Sequence, residues 1–366
     1  MTPEIKPAHP GRLPCVDGWR ALSICLVLGA HSLAMTGFPG DNPLVSCFPL
    51  LVDGNLGVRF FFVISGFLIT YLLIEEQARN GDISLTKFYI RRALRILPVY
   101  LMYLAVVAAL QLFTSLHQSW ITWIGDLTFT CNFLPRGIVS GHLWSLSVEE
   151  QFYFLWPVTF IWLNRRRQYL VPALAAPIVV ALLFHTVVYA QKVPWIIHPL
   201  FHPHSSFVNF DSLAVGCATA FALAQWRHRI TGWLTRRNRL LAAAAGVGLV
   251  LLPSLDLAVA RPVWAIFGNL FQAAGLALLL LTSALQPRGF APLSWRVVVQ
   301  LGVVSYSIYV WQQIFYAAPD IYATRNIWWL SFPMWLVPVL LVSFASYYGF
   351  ERPLLKLRTR FRRTVL

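Results

Sequence analysis

Ten stretches of mostly apolar residues, each close to the length that crosses a bilayer, dominate this chain of 366 residues. A spanning helix needs about 20 such residues. The runs are Trp19–Met35, Gly57–Ile74, Ile96–Ser115, His142–Leu163, Tyr169–Ala190, Phe207–Gln225, Leu240–Pro253, Pro262–Ala284, Val297–Ala317 and Trp328–Phe350, the seventh being short. Trp120–Leu134 is apolar too, but short and interrupted by Asp126. It reads as a re-entrant or interfacial segment; as an eleventh span it would disturb the topology. Hydrophobic residues make up 58% of the chain and charged residues only 12%. Soluble domains carry about 25% charged residues, so an ordinary soluble fold is excluded. Disorder, which needs low hydrophobicity, is excluded as well. Lipid offers no partner to an unpaired backbone group, so the runs must be helices. The expected fold is all-α: a polytopic membrane protein of about ten transmembrane helices. One membrane domain fills residues 1–366, with short tails at 1–17 and 351–366.

The net charge of +15 would suggest nucleic acid in a soluble protein. Its distribution says otherwise. With the N-terminus inside, five basic residues fall outside: Arg59, Arg136, Lys192, Arg261 and Arg325. The rest of the 29 Lys and Arg fall inside. That asymmetry supports ten spans with both termini cytoplasmic. The first run lacks a small-residue cleavage site, so no secretory signal is expected. No internal repeat or matched pair of broken helices of the transporter kind is visible. The five cysteines, Cys15, Cys25, Cys47, Cys131 and Cys217, show no metal-ligand spacing. Cys47 and Cys131 both fall in outer loops, where they could pair.

Ionisable residues within spans are costly, and each one is a functional hypothesis. His31 follows Arg20 by 11 residues, which puts both on one helix face about 16 Å apart along the axis. Arg20 then sits at the inner boundary and His31 nearer the outer one. Glu149 and Glu150 lie about two turns below the outer end of an antiparallel span, so one of them can meet His31. Helix geometry does not choose between them. Arg92 and Arg95 share a face at the inner end of the third span, beside Arg91. With Arg20 they form a guanidinium cluster suited to phosphate. Most other arginines, including Arg165–Arg167, read as topology anchors. His198, His202 and His204 have a spacing that could ligate metal, but Pro199 and Pro203 oppose the regular geometry, and no metal is expected. Asp211, near an outer helix end, is a candidate contact for a polar acceptor. For each of these groups the plain alternative is a hydrogen-bonded structural role.

Several motifs resemble the acyltransferase-3 family of integral membrane O-acyltransferases. Asp17-Gly18-Trp19-Arg20-Ala21 with His31 is similar to its Arg-x10-His element. Gly57 to Ile69 is similar to its second-span motif, and Arg92 and Arg95 to its Arg-x-x-Arg element. Trp144 to Tyr153, Ser305 to Trp311, and Phe350-Glu351-Arg352-Pro353 are similar to its later signatures. The resemblance covers nearly the whole chain. Two positions depart from it: Arg59 stands where many members have an acid, and Gln312 where many have His. The chain ends after the tenth run, so the extracytoplasmic hydrolase-like domain of some relatives is not expected.

The resemblance implies transfer of an acyl group, commonly acetyl, from cytoplasmic acyl-CoA to a hydroxyl of a carbohydrate, glycolipid or glycosylated small molecule. The setting it implies is a bacterial inner membrane, with no nucleic acid involved. Arg20, Arg92 and Arg95 would hold the CoA phosphates and His31 would be the general base. Glu149 or Glu150 would orient the imidazole, as a carboxylate does in a triad. Ser65 or a backbone N–H near Gly66 would stabilise the oxyanion. Nothing in the sequence requires a covalent acyl-enzyme at His31 or Ser65. A secondary transporter using the same His/Glu site is the alternative from another class, and a non-catalytic scaffold a third.

Overall fold

A computed structural model describes residues 14–33, 53–190, 202–255, 260–317 and 328–357. Lys6, Arg12, Cys47, Lys192, His198, Arg325 and most of both tails lie outside the described residues. The helices are α1 (Pro14–Ser32), α2 (Gly54–Asn80), α3 (Leu85–Phe113), α4 (Trp120–Leu127), α5 (Trp144–Arg165) and α6 (Leu170–Tyr189). They continue as α7 (Ser206–Trp233), α8 (Arg236–Leu251), α9 (Arg261–Leu285), α10 (Arg296–Tyr316), α11 (Leu336–Ser346) and α12 (Arg352–Leu357). No strand occurs among the described residues. The protein is an all-α, multi-span membrane protein.

Six segments are long and apolar enough to cross a membrane: α2, α3, α6 with its preceding turn, α7, α9 and α10. Each of the ten runs read from the sequence is helical over much of its described part. α8 and α11 are short, at 16 and 11 residues. α1 and α5 spend positions on Arg20, His31, Glu149 and Glu150, which lowers their hydropathy. The tenth run begins as a turn, and its α-helix starts only at Leu336. α4 is an eight-residue helix, too short to span. Apolar side chains point outward along α5 and α6, with Phe154, Val171 and Leu183 more than half exposed. That surface is stable only against lipid.

Local signals set the ends of the helices. Asp53 caps α2 by accepting from the Leu56 N–H at 2.9 Å. Gly81 ends the same helix in the left-handed region at φ 75°. α7 breaks at Trp226 (φ −119°, ψ 18°), one residue past the expected end of its span, and a basic extension follows.

α1 lies between α2 and α10, and α2 packs along α7. Small residues allow this closeness, since packing rather than hydrophobicity joins helices in lipid. A Cβ at Gly302 of α10 would fall 1.8 Å from the Asp17 carbonyl oxygen. A Cβ at Gly66 would fall 2.1 Å from the Leu213 carbonyl oxygen, and one at Gly216 would fall 2.2 Å from that of Val63. On its other face a Cβ at Gly57 would fall 2.7 Å from the Ser23 carbonyl oxygen of α1, so α2 is clamped on both sides with Arg59 and Ser65 fixed along it.

Candidate active site between two cavities

Two cavities lie toward opposite ends of the bundle. The larger, about 1270 Å³, is lined by His31, by the segment 132–138, by His202 and His204, and by polar residues of α9 and α10. Its wall draws on segments expected outside the membrane. The smaller, about 100 Å³, is lined by Arg20, Ser65, Arg92, Arg95, Glu149 and Tyr153. Val58 and Tyr309 line both and form the partition. The Tyr309 hydroxyl donates to the His142 carbonyl at 2.8 Å and also bonds Ser145. His142 in turn bonds the Val310 carbonyl through Nε2 at 3.1 Å.

The smaller cavity brings Arg20 of α1 together with Arg92 and Arg95 of α3. The Arg92 guanidinium lies over the Tyr153 ring, 3.4 Å from its centroid. Cation–π contact holds it there without cancelling its charge. Its Nε is buried with no hydrogen-bond partner among the described residues. Glu149 accepts from Ser65 Oγ at 2.9 Å and from the Tyr153 hydroxyl at 3.0 Å. Arg92 is the main positive charge acting on both Glu149 and Glu150. Of the two acids, Glu149 reaches the cavity wall, while Glu150 keeps a buried Oε1 without a hydrogen-bond partner among the described residues. Arg91 points elsewhere and pairs with Glu76 at 2.6 Å.

His31 has a different partner from the one expected. Its Nδ1 is hydrogen-bonded to Oε1 of Gln312, and its ring stacks on Tyr316 with centroids 4.4 Å apart. No hydrogen bond joins it to Glu149 or Glu150 among the described residues. Counting turns from the outer helix ends places these groups at similar depth, but the acids face the arginines across the bundle. An amide therefore occupies the place proposed for a carboxylate. Ser65 is likewise committed: its hydroxyl hydrogen goes to Glu149, so it could serve an oxyanion only by leaving that carboxylate.

Asp211 is buried at 3% exposure, accepts from the Ser212 N–H and hydroxyl, and lines neither cavity. His202 and His204 do converge, with Nδ1 atoms 3.1 Å apart, and Arg136 bonds His204 Nδ1 at 2.5 Å. Burial, then the charges of Arg136 and His202, pushes the His204 pKa down to about 3, so its ring is a neutral acceptor. No cluster of three metal-ligating side chains occurs among the described residues. Cys131 is a free thiol, buried 3.0 Å from the Ser147 hydroxyl.

The acyltransferase domain family matches residues 13–351. The chain belongs to the acyltransferase-3 family. Among similar proteins, the peptidoglycan O-acetyltransferase OatA of Listeria monocytogenes is 27% identical over 86% of this chain and 52% of its own length. The putative peptidoglycan O-acetyltransferase YrhL of Bacillus subtilis is 25% identical over 95% of this chain and 56% of its own. The O-acetyltransferase OatA of Staphylococcus aureus is 33% identical over 43% of this chain and 26% of its own. The chain spans about half the length of the curated relatives that it matches over most of its own length. No solved structure matches it.

Within this acyltransferase-3 domain, both departures from the family pattern fall on the larger cavity's machinery. Gln312 holds His31. Arg59 lines the cavity, bonded to the side-chain oxygens of Gln272 and Asn269. The sequence reading missed Tyr309 as a partition and Arg59, Asn269 and Gln272 as a connected group. Asn and Gln within apolar runs are the sequence signal that marks such a group, because a buried amide needs a hydrogen-bond partner.

Proposed function

We propose that this domain is a membrane O-acyltransferase that moves an acyl group, acetyl in the first instance, from acyl-CoA to a carbohydrate hydroxyl. We place it in a bacterial inner membrane, with ten crossings and both termini cytoplasmic. The observation that carries the reading is the pair of cavities meeting at Val58 and Tyr309, one lined by arginines and the other by the half-buried His31. Relatives with O-acetyltransferase names support the acetyl and carbohydrate assignments.

Arg20, Arg92 and Arg95 would bind the CoA phosphates, and the unpartnered Arg92 Nε fits such a ligand. The inner cavity is narrow, which suits a thin acyl-bearing arm and excludes a sugar. The thioester supplies an acyl carbon that a hydroxyl can attack. With Gln312 Oε1 accepting from Nδ1–H, His31 keeps Nε2 as its basic nitrogen. Nε2 takes the acceptor's hydroxyl proton as the new C–O bond forms and the C–S bond breaks. It then gives that proton to the departing thiolate, which returns His31 to neutral. Tyr316 stacking and the Gln312 bond fix the ring for both transfers. Glu149 acts one cavity away: it holds Ser65 and Tyr153, and Tyr153 carries Arg92.

The test is incubation of the purified protein with labelled acetyl-CoA and glycan acceptors. CoA release with label appearing on the glycan is expected. Solute flux across vesicles without CoA release would replace this reading with a transporter.

A further inference from the structure

The larger cavity contains a positive charge that the transfer chemistry does not use. Arg59 sits on α2 within the bundle, where an unmatched guanidinium is costly. Its two bonded partners are neutral: the amide oxygens of Gln272 and Asn269. Among the described residues Arg59 makes no ion pair with a carboxylate. Asp211 and Asp53 act on it only at longer range. Both are committed, Asp53 to the cap of α2 and Asp211 to Ser212.

The two amides are braced from behind. Asn269 Nδ2 lies 3.1 Å from His185 Nε2, and Gln272 Nε2 donates to Ser254 Oγ at 3.1 Å. Such an arrangement fixes the direction of the guanidinium fork while leaving its charge intact. A fixed fork matches the two oxygens of a carboxylate or phosphate. Arg136, bonded to the neutral His204, adds a second positive charge on the same wall. Among the described residues, Gln313 Oε1 and Trp264 Nε1 on that wall are buried without partners, an acceptor and a donor of the kind sugar hydroxyls satisfy.

We propose that the larger cavity selects an anionic glycan, with Arg59 binding a carboxylate or phosphate ester on the acceptor. The proposal rests on reading this cavity as the acceptor site. It is tested on the full chain in lipid nanodiscs, by measuring the binding of three probes. These are a β-linked disaccharide ending in a uronic acid, the methyl ester of that disaccharide, and its counterpart carrying a phosphate monoester in place of the carboxylate. Wild type is expected to bind at least one charged form about tenfold tighter than the ester. Whether the uronate or the phosphate form is preferred identifies the source of the anion. Arg59→Gln should bring that form down to the affinity of the ester. Equal binding of charged and neutral forms by wild type would overturn the proposal without any variant. So would absence of binding by all three, or a preference that survives in Arg59→Gln. CoA release from acetyl-CoA, followed in the same preparations, reports the transferase reading separately. Charge preference without turnover would remove that reading and leave this one, and turnover without charge preference would do the reverse.

Discussion

At the scale of single residues, the proposed site divides into a histidine base, His31, and a cationic cluster, which should respond differently to substitution. His31→Ala should lower kcat by about 10²–10⁴-fold while the protein still folds and inserts, because a general base contributes about that much. Turnover measured on purified protein of unchanged thermal stability checks this. Gln312→Glu makes a sharper test of the hydrogen bond at Nδ1. A carboxylate beside His31 favours the imidazolium, so the histidine pKa rises. The acid limb of the kcat/KM profile should then move to higher pH, whereas Gln312→Ala should lower kcat without moving KM for acetyl-CoA. A profile unmoved in Gln312→Glu would argue against His31 as the titrating base. Arg92→Ala should raise KM for acetyl-CoA and spare the KM of the acceptor. Equal effects on both would count against a phosphate role. His31, Arg20, Arg92 and Arg95 stood out in the sequence because charge within an apolar run is rare. Gln312 as the partner of His31 did not, since 281 residues separate the two.

At the scale of helices, the decisive contacts are those with no room for a side chain. Gly66→Ala would place a methyl group 2.1 Å from the Leu213 carbonyl oxygen, so α2 and α7 must separate. The expected loss is about 1–3 kcal/mol, read as a lower unfolding temperature in detergent. Activity should fall too, since Ser65 and Arg59 lie on the same helix. A mutant as stable as wild type would mean that the interface relaxes freely. The helices themselves were legible as apolar runs, and even the break at Trp226 followed the end of one. What the runs did not reveal was rotation. A helix that is apolar on most faces carries almost no directional signal, so which residues meet across it cannot be read from period. For this reason depth alone puts Glu149 or Glu150 beside His31, whereas the fold turns Glu149 toward Ser65 and Tyr153.

At the scale of the molecule, the two cavities give each end of the bundle its own chemistry. The topology proposed from charge makes this checkable. In a background without native cysteines, an impermeant thiol reagent added to intact cells should label Ile138→Cys and leave Arg166→Cys unlabelled until lysis. Ile138 lines the larger cavity and is 57% exposed, so it can react. Labelling of both positions in intact cells would overturn the assigned sidedness. By itself the sequence determined the helical class and the presence of several spans. It also determined the residues whose burial demands an explanation, because hydropathy and charge act locally along the chain. Only the tertiary structure decided that two cavities share a wall at Val58 and Tyr309, that an amide rather than a carboxylate holds His31, and that Arg59 is gripped by neutral partners. Those are relations between helices distant in sequence, and they are fixed by glycine-tight packing that no single helix encodes.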